Sequence, residues 1–261
     1  MARITCDFFS ETLMLNTSMT VILPEQTANQ IGMQNNKRQD QKHPTLYLLH
    51  GLSDDHTIWT RRTSIERYVA ELGIAVVMPN VDHSFYTDMT YGKNYWTFIS
   101  EELPRIARSF FPLSDKREDN FIAGLSMGGY GAMKWALNKP DQFAAVATLS
   151  GVLDIASHVA NQQEPNPMAA TLYNAYGDQD LKGTMHDVLD LIKKIDASDG
   201  EKPKIYHACG TEDFLYNDNL LFKEVCDQTD LDVVSTFDSG SHEWGYWDYH
   251  IQRVLKWLPL K

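Results

Sequence analysis

The sequence predicts an α/β fold around a parallel sheet buried on both faces, and three observations predict it. Apolar runs of five to seven residues recur along the chain and alternate with segments of helical spacing, the pattern of repeated βαβ units. Those runs are almost continuously apolar, as strands covered by helices on both faces must be. Hydrophobic residues make up 43% and charged residues 22% of the 261 residues, an ordinary globular balance with enough apolar material for a full core.

Taken in order, the N-terminal stretch reads as two or three short antiparallel strands, ending in residues 19–23 before Pro24. Residues 25–43, EQTANQIGMQNNKRQDQKH, are nearly all polar and aperiodic, and are expected to form an exposed, mobile loop. TLYLL (45–49) is the first buried run, and it ends in His50-Gly51. IAVVMP (74–79), NFIAGL (120–125), AAVATLSG (144–151), KIYHACG (204–210) and DVVSTFDSG (232–240) follow. Helix-like segments lie between them at 64–72, 95–110 and 129–138. The stretch 154–202 is longer than a simple crossover, and its 187–195 portion has helical spacing. It is expected to be a helical insertion between two strands that roofs a pocket. No repeat or low-complexity linker divides the chain, so 1–261 is read as one domain.

Charge and composition narrow the function. A formal net charge of −12 argues against nucleic acid and against anionic membrane surfaces. The first twenty residues are broken repeatedly by Asp, Ser, Glu, Thr and Asn, unlike a signal peptide, and no later run reaches the ~18 apolar residues of a membrane span. The expected location is the cytoplasm. Cys6, Cys209 and Cys226 are odd in number and lack metal-ligand spacing, so buried free thiols are expected. The carboxylates and histidines form no compact ligand set, and neither a metal nor another cofactor is expected.

The chemistry concentrates at Gly124-Leu125-Ser126-Met127-Gly128-Gly129, which follows a buried strand and opens a helix. This is the Gly-x-Ser-x-Gly nucleophile elbow of the α/β-hydrolase fold. The serine must sit on a tight, strained strand-to-helix turn, where side chains at 124 and 128 would strike the neighbouring strand and helix. The helix behind it offers free N–H groups and the positive end of its dipole to a developing oxyanion.

A serine hydroxyl needs a base to take its proton, and an acid to hold the base. In this fold the chain order is Ser, acid, His. Of the nine histidines, His242 in Ser-Gly-Ser-His-Glu-Trp directly follows the last predicted strand. His250 lies inside the last helix, His207 within a strand, and His50 at a strand end where it shapes a loop. For the acid, Asp213 is chosen from Gly210-Thr211-Glu212-Asp213, with Glu212 and then Asp218 as rivals. Two backbone N–H groups are needed for the oxyanion. Met127, after the nucleophile, and Leu52, in the loop after the first central strand, are the candidates.

HGLSDDHTIW, PNVDHSFYTDMTYGKNYWTFISEELP, GLSMGGYGAMKWAL, CGTEDFLYNDN and SGSHEWGYWD together resemble the esterase D family. That family includes S-formylglutathione hydrolases, bacterial tributyrin esterases and the related mycolyltransferases. The resemblance runs from about residue 3 to 258, the polar loop excepted. It implies a single α/β-hydrolase domain with a central, mostly parallel sheet, a triad on Ser126, Asp213 and His242, and oxyanion donors on the backbone of Leu52 and Met127. The short form with Tyr-Thr-Asp-Met and His-Glu-Trp-Gly-Tyr-Trp segments is most similar to the tributyrin-type esterases, which implies acetyl to hexanoyl esters as substrates. A homo-oligomer, dimer or tetramer, is also implied.

Aromatic residues crowd the segments expected to rim the site, and Tyr86, Trp96, Phe214 and Trp244 are the candidate pocket walls. A bulky wall shortens the acyl pocket, and each excluded methylene costs ~0.8 kcal/mol, so chain-length selection is expected to be graded. The rival activities are hydrolysis of S-formylglutathione and deacetylation of acetylated sugars. A non-enzymatic binding protein on the same fold is the reading from another class. It is disfavoured by the presence of all three triad residue types.

Overall fold

The computed structural model describes residues 1–25, 29, 31, 42–161 and 167–260. The loop expectation for 25–43 therefore falls largely outside the described residues.

Eight strands form one sheet: β1 (Ala2–Ser10), β2 (Leu15–Leu23), β3 (Thr45–Leu49), β4 (Ala75–Pro79), β5 (Asn120–Leu125), β6 (Ala145–Leu149), β7 (Lys204–Gly210) and β8 (Val233–Asp238). Their spatial order is β1-β2-β4-β3-β5-β6-β7-β8. The pairs β1–β2 and β2–β4 are antiparallel, and every pair from β4 to β8 is parallel. β3 to β6 are buried along their whole length, as their unbroken apolar runs require. The N-terminal hairpin differs from expectation: it is two nine-residue strands, paired from Ala2 opposite Leu23 to Ser10 opposite Leu15. Polar residues alternate through β1 and face solvent at the sheet edge, so no continuous apolar run announces its length.

Helices cover both faces. On one face lie α1 (Ile58–Arg62), α2 (Ile65–Val69) and the C-terminal helix Trp244–Trp257, packed on Leu46, Leu48, Phe121, Leu149 and Ala208. The other face packs Tyr47, Leu49, Ile122, Val146 and Ile205 against the remaining helices. Those begin with α3 (Tyr95–Thr97), which runs through a π-helical turn, Phe98–Glu102, into α4 (Leu103–Phe110). They continue with α5 (Met127–Asn138), α6 (Ile155–Ala160), α7 (Pro167–Tyr176), α8 (Val188–Asp196) and α9 (Tyr216–Cys226), and the C-terminal helix is α10. Successive strand residues divide between these two cores, the period of two expected of a strand. Of the three free cysteines, Cys209 and Cys226 are buried, whereas Cys6 on the edge strand is half-buried.

The topology fixes where a site can lie. From β3 the chain crosses to β4 on one side, and from β5 it crosses to β6 on the other. The exit loops of adjacent strands β3 and β5 thus diverge and open a crevice at the carboxyl end of the sheet, the switch point where open α/β sheets bind ligands. Among the described residues, no helix is long and apolar enough to cross a membrane.

Candidate active site

Ser126 stands on that crevice, between β5 and α5, with φ +52° and ψ −120°. A non-glycine residue in this region is strained and persists only where its surroundings hold it. Its N–H donates to Leu149 O at 2.9 Å, and its carbonyl accepts from Tyr130 N–H at 3.1 Å. The flanking glycines are required by contact. A Cβ on Gly124 would lie 2.2 Å from Gly128 O, and one on Gly128 would lie 2.6 Å from the carbonyl oxygens of Leu49 and His50. The tight approach of α5 to the ends of β3 and β5 is thus possible only with glycine at both positions.

Asp213 leaves β7 through a turn in which its N–H donates to Gly210 O at 3.2 Å. Its carboxylate, with no exposed surface, accepts from Leu215 N–H at 2.8 Å and lies 3.0 and 2.9 Å from His242 Nδ1 through its two oxygens. Burial raises the Asp213 pKa, but the hydrogen bonds from His242, Leu215 N–H and Ser150 outweigh it, and the net shift is downward. An ionised carboxylate only accepts, so Nδ1 of His242 carries the proton and Nε2 is left as a bare acceptor. The imidazole is packed between Phe214 and Trp247, with ring centroids at 4.4 and 4.8 Å.

The rival acids are occupied elsewhere. Glu212 is exposed and accepts Gly240 N–H at 2.6 Å, tying the exit of β7 to the exit of β8. Asp218, in the first turn of α9, lies 2.6 Å from His158 Nε2. His242 and Ser126 share no hydrogen bond, a contact that in such sites tightens when substrate arrives.

The rival histidines His50, His207 and His250 have structural partners. His50 Nδ1 donates to Gly51 O at 2.7 Å and its Nε2 accepts Val81 N–H at 3.1 Å, which defines a neutral tautomer. Burial pushes its pKa down to about 4. His207 bonds Asn219 Oδ1 at 2.9 Å, and burial likewise takes its pKa to about 4. His250 bonds Asp238 at 3.1 Å.

A cavity of about 140 Å³ opens beside Ser126, lined among others by Leu52, Met127, Phe85, Leu172 and His158. Met127 opens α5, so its N–H is one of those a helix start leaves without an intrahelical acceptor. α6 and α7, from the 154–202 stretch, supply Ile155, Met168 and Leu172 to the wall, whereas α8 packs on α5.

Of the four aromatic walls expected from sequence, Phe214 alone lines this cavity. Tyr86 is corrected by one residue. Phe85 and Tyr86 both have positive φ, +49° and +52°, so their side chains diverge. Phe85 enters the wall, while Tyr86 turns into the core and donates its hydroxyl to His50 O at 2.8 Å. Trp96 stands against the buried Lys134, its ring 4.9 Å from Nζ, and Trp244 packs on Trp59 and Trp247 at 5.2 and 5.3 Å. Sequence reasoning missed Ser150, which is fully buried at φ +49° and accepts Trp247 Nε1–H at 3.1 Å behind the histidine. It also missed the pair His158–Asp218. Among the described residues, no group of three or more His, Cys, Asp or Glu side chains is placed to hold a metal ion.

The arrangement can generate an alkoxide at Ser126 and hold a tetrahedral oxyanion against backbone N–H groups, the requirements of acyl transfer. Comparison with known proteins agrees with that chemistry. The esterase family model, described as "Putative esterase", matches residues 10–258. The chain is 33% identical to an acetyl esterase of Caldicellulosiruptor saccharolyticus over 264 aligned residues, 99% of this chain and 98% of that protein. A fluorophosphonate-binding serine hydrolase of Staphylococcus aureus, solved with substrate bound, superposes with a TM-score of 0.86 at 40% identity over 98% of both chains. An S-formylglutathione hydrolase of Staphylococcus aureus, solved as the apoenzyme, superposes with a TM-score of 0.83 at 39% identity over 98% of both chains.

Proposed function

Because this chain belongs to the esterase family and is a carboxylic ester hydrolase, we propose that it hydrolyses short-chain acyl esters, acetyl to hexanoyl, through an acyl-enzyme on Ser126. The observation that carries this reading is the cavity of about 140 Å³ that is lined by Ser126, Leu52 and Met127 and, among the described residues, is otherwise almost wholly apolar. It has room for a short acyl chain and little more.

In this mechanism Ser126 Oγ attacks the ester carbonyl carbon while His242 Nε2 takes its proton. Asp213 holds Nδ1–H, fixes the tautomer and stabilises the imidazolium. The N–H groups of Leu52 and Met127 bind the oxyanion. Collapse of the tetrahedral intermediate breaks the bond to the alcohol oxygen, which takes the proton from His242. Water, deprotonated by the same nitrogen, then releases the acid and restores Ser126.

The test is kcat/KM for p-nitrophenyl esters from acetate to decanoate, with Ser126→Ala as the blank. The expected maximum lies between two and six carbons, with a fall of roughly fourfold for each methylene excluded beyond it. Ser126→Ala is expected to lose about 10⁴–10⁶ in turnover while staying folded. A maximum at decanoate, or normal turnover without Ser126, contradicts the reading. The 39% identity with an S-formylglutathione hydrolase supports thioester cleavage as a second reading. The same acyl-enzyme chemistry serves both, so turnover of S-formylglutathione exceeding that of every oxygen ester would favour it.

A further inference from the structure

Among the described residues, the cavity beside Ser126 is lined by one titratable side chain, His158, with walls otherwise apolar apart from the nucleophile. His158 lies on α6, and its Nε2 is 2.6 Å from Asp218 Oδ2 on α9. The pair therefore ties the cover of the cavity to the element that follows Asp213. The His158 side chain is 40% exposed and that of Asp218 is 17% exposed, so the ring borders both the cavity and solvent. With Nε2 committed to Asp218, the polar atom left for a ligand is Nδ1. Plain acyl chains have nothing to offer it.

Resting on the reading of this cavity as the acyl pocket, we propose that His158, oriented by Asp218, is a polar subsite that selects acyl groups carrying a hydroxyl. A hydroxyl suits the site in either charge state of the ring. It donates to Nδ1 when the imidazole is neutral and accepts from Nδ1–H when it is protonated. A carboxylate suits it less, because Asp218 lies across the same ring and repels a second negative charge. The charged groups acting on the imidazole are Asp218 from α9 and Asp154 from the start of α6. The Asp218 hydrogen bond, the largest influence, raises the His158 pKa, against burial, which lowers it.

The experiment compares two pairs of esters, ethyl 3-hydroxybutanoate with ethyl butanoate and ethyl 6-hydroxyhexanoate with ethyl hexanoate, by pH-stat on the whole chain. The quantity read is the ratio of kcat/KM within each pair. The parent enzyme is expected to favour the hydroxyacyl ester in at least one pair. His158→Leu is expected to lower that ratio about three- to tenfold, the span of one ordinary hydrogen bond, chiefly through KM. The plain ester should improve, since leucine adds apolar wall. His158→Gln, which keeps a hydrogen-bonding end, should retain part of the ratio, and Asp218→Asn should lower it by less than His158→Leu does. A merely structural pair would lower both esters together and leave the ratio unmoved; that result overturns the inference and leaves short-chain ester hydrolysis standing. Failure of the parent enzyme on every ester overturns both.

Discussion

The floor and the cover of the cavity are built differently. On the floor side, Ser126 lines the cavity at a strained φ between two obligatory glycines, and strand-exit residues outside the lining support the site: Asp213 with a fully buried carboxylate, and buried His50 and Ser150. The cover is thin. Met168 is 45% exposed, Phe214 74%, and the tie between α6 and α9 is one imidazole–carboxylate contact. Groups that must meet reacting atoms within tenths of an ångström sit on rigid sheet ends, whereas groups that only select the chain they admit can sit on mobile-sized, half-exposed elements. The difference between the two regions teaches that substitutions in the floor should change turnover, and those in the cover should change preference.

The largest expected break is in the floor. Asp213→Asn keeps the shape but replaces a carboxylate with an amide that can stabilise the wrong tautomer of His242, so kcat should fall by ~10³–10⁴ with little change in thermal midpoint. Glu212→Gln is the matched control one residue away. Glu212 holds the Gly240 N–H, while the His242 Nδ1 hydrogen bonds go to Asp213, so loss of Glu212 should cost less than tenfold. Steady-state kinetics of the two variants decides the acid, and a crippled Glu212→Gln beside an active Asp213→Asn would reverse the assignment.

A second break uses acid. His50 and His207 are buried and neutral, with pKa values lowered to about 4, below the ~6.5 of an unfolded chain. Between those values the unfolded state binds protons that the folded state does not, so stability is whole above about pH 6.5 and is lost as pH falls toward 4. Each histidine can contribute on the order of 3 kcal/mol to that loss. Urea midpoints measured from pH 7 to pH 4.5 should therefore fall, and His207→Gln should flatten the slope. An unchanged slope would show that His207 is not buried neutral.

The smallest effect is expected in the cover. Met168→Ala removes a half-exposed wall residue of the cavity and should alter kcat/KM for the hexanoyl ester by roughly fourfold per lost methylene contact. Its kcat for the acetyl ester should stay within about twofold. An equal loss on both esters would show that the cover also holds the floor in place.

Much of this was legible in the sequence. TLYLL, NFIAGL and KIYHACG match β3, β5 and β7 residue for residue, because doubly covered strands must be apolar throughout. The elbow was legible because its glycine spacing is local: Gly124 answers a contact within its own strand–turn–helix unit, whereas Gly128 answers the carbonyl oxygens at the end of β3. The edge hairpin was underestimated, since its exposed face mixes polar residues into the pattern.

The sequence by itself determined the order of strands and helices, the nucleophile turn and the position of His242 after the last strand. Each depends on residues close together in the chain, where spacing and backbone preference speak directly. The tertiary structure decided which of Glu212 and Asp213 faces the imidazole, whether Phe85 or Tyr86 enters the cavity, and that Asp218 meets His158 sixty residues away. Those outcomes depend on side-chain direction where separate loops converge. A rotation of one residue's backbone, such as the positive φ at Phe85 and Tyr86, reassigns a side chain from core to cavity without any change in local hydrophobic pattern.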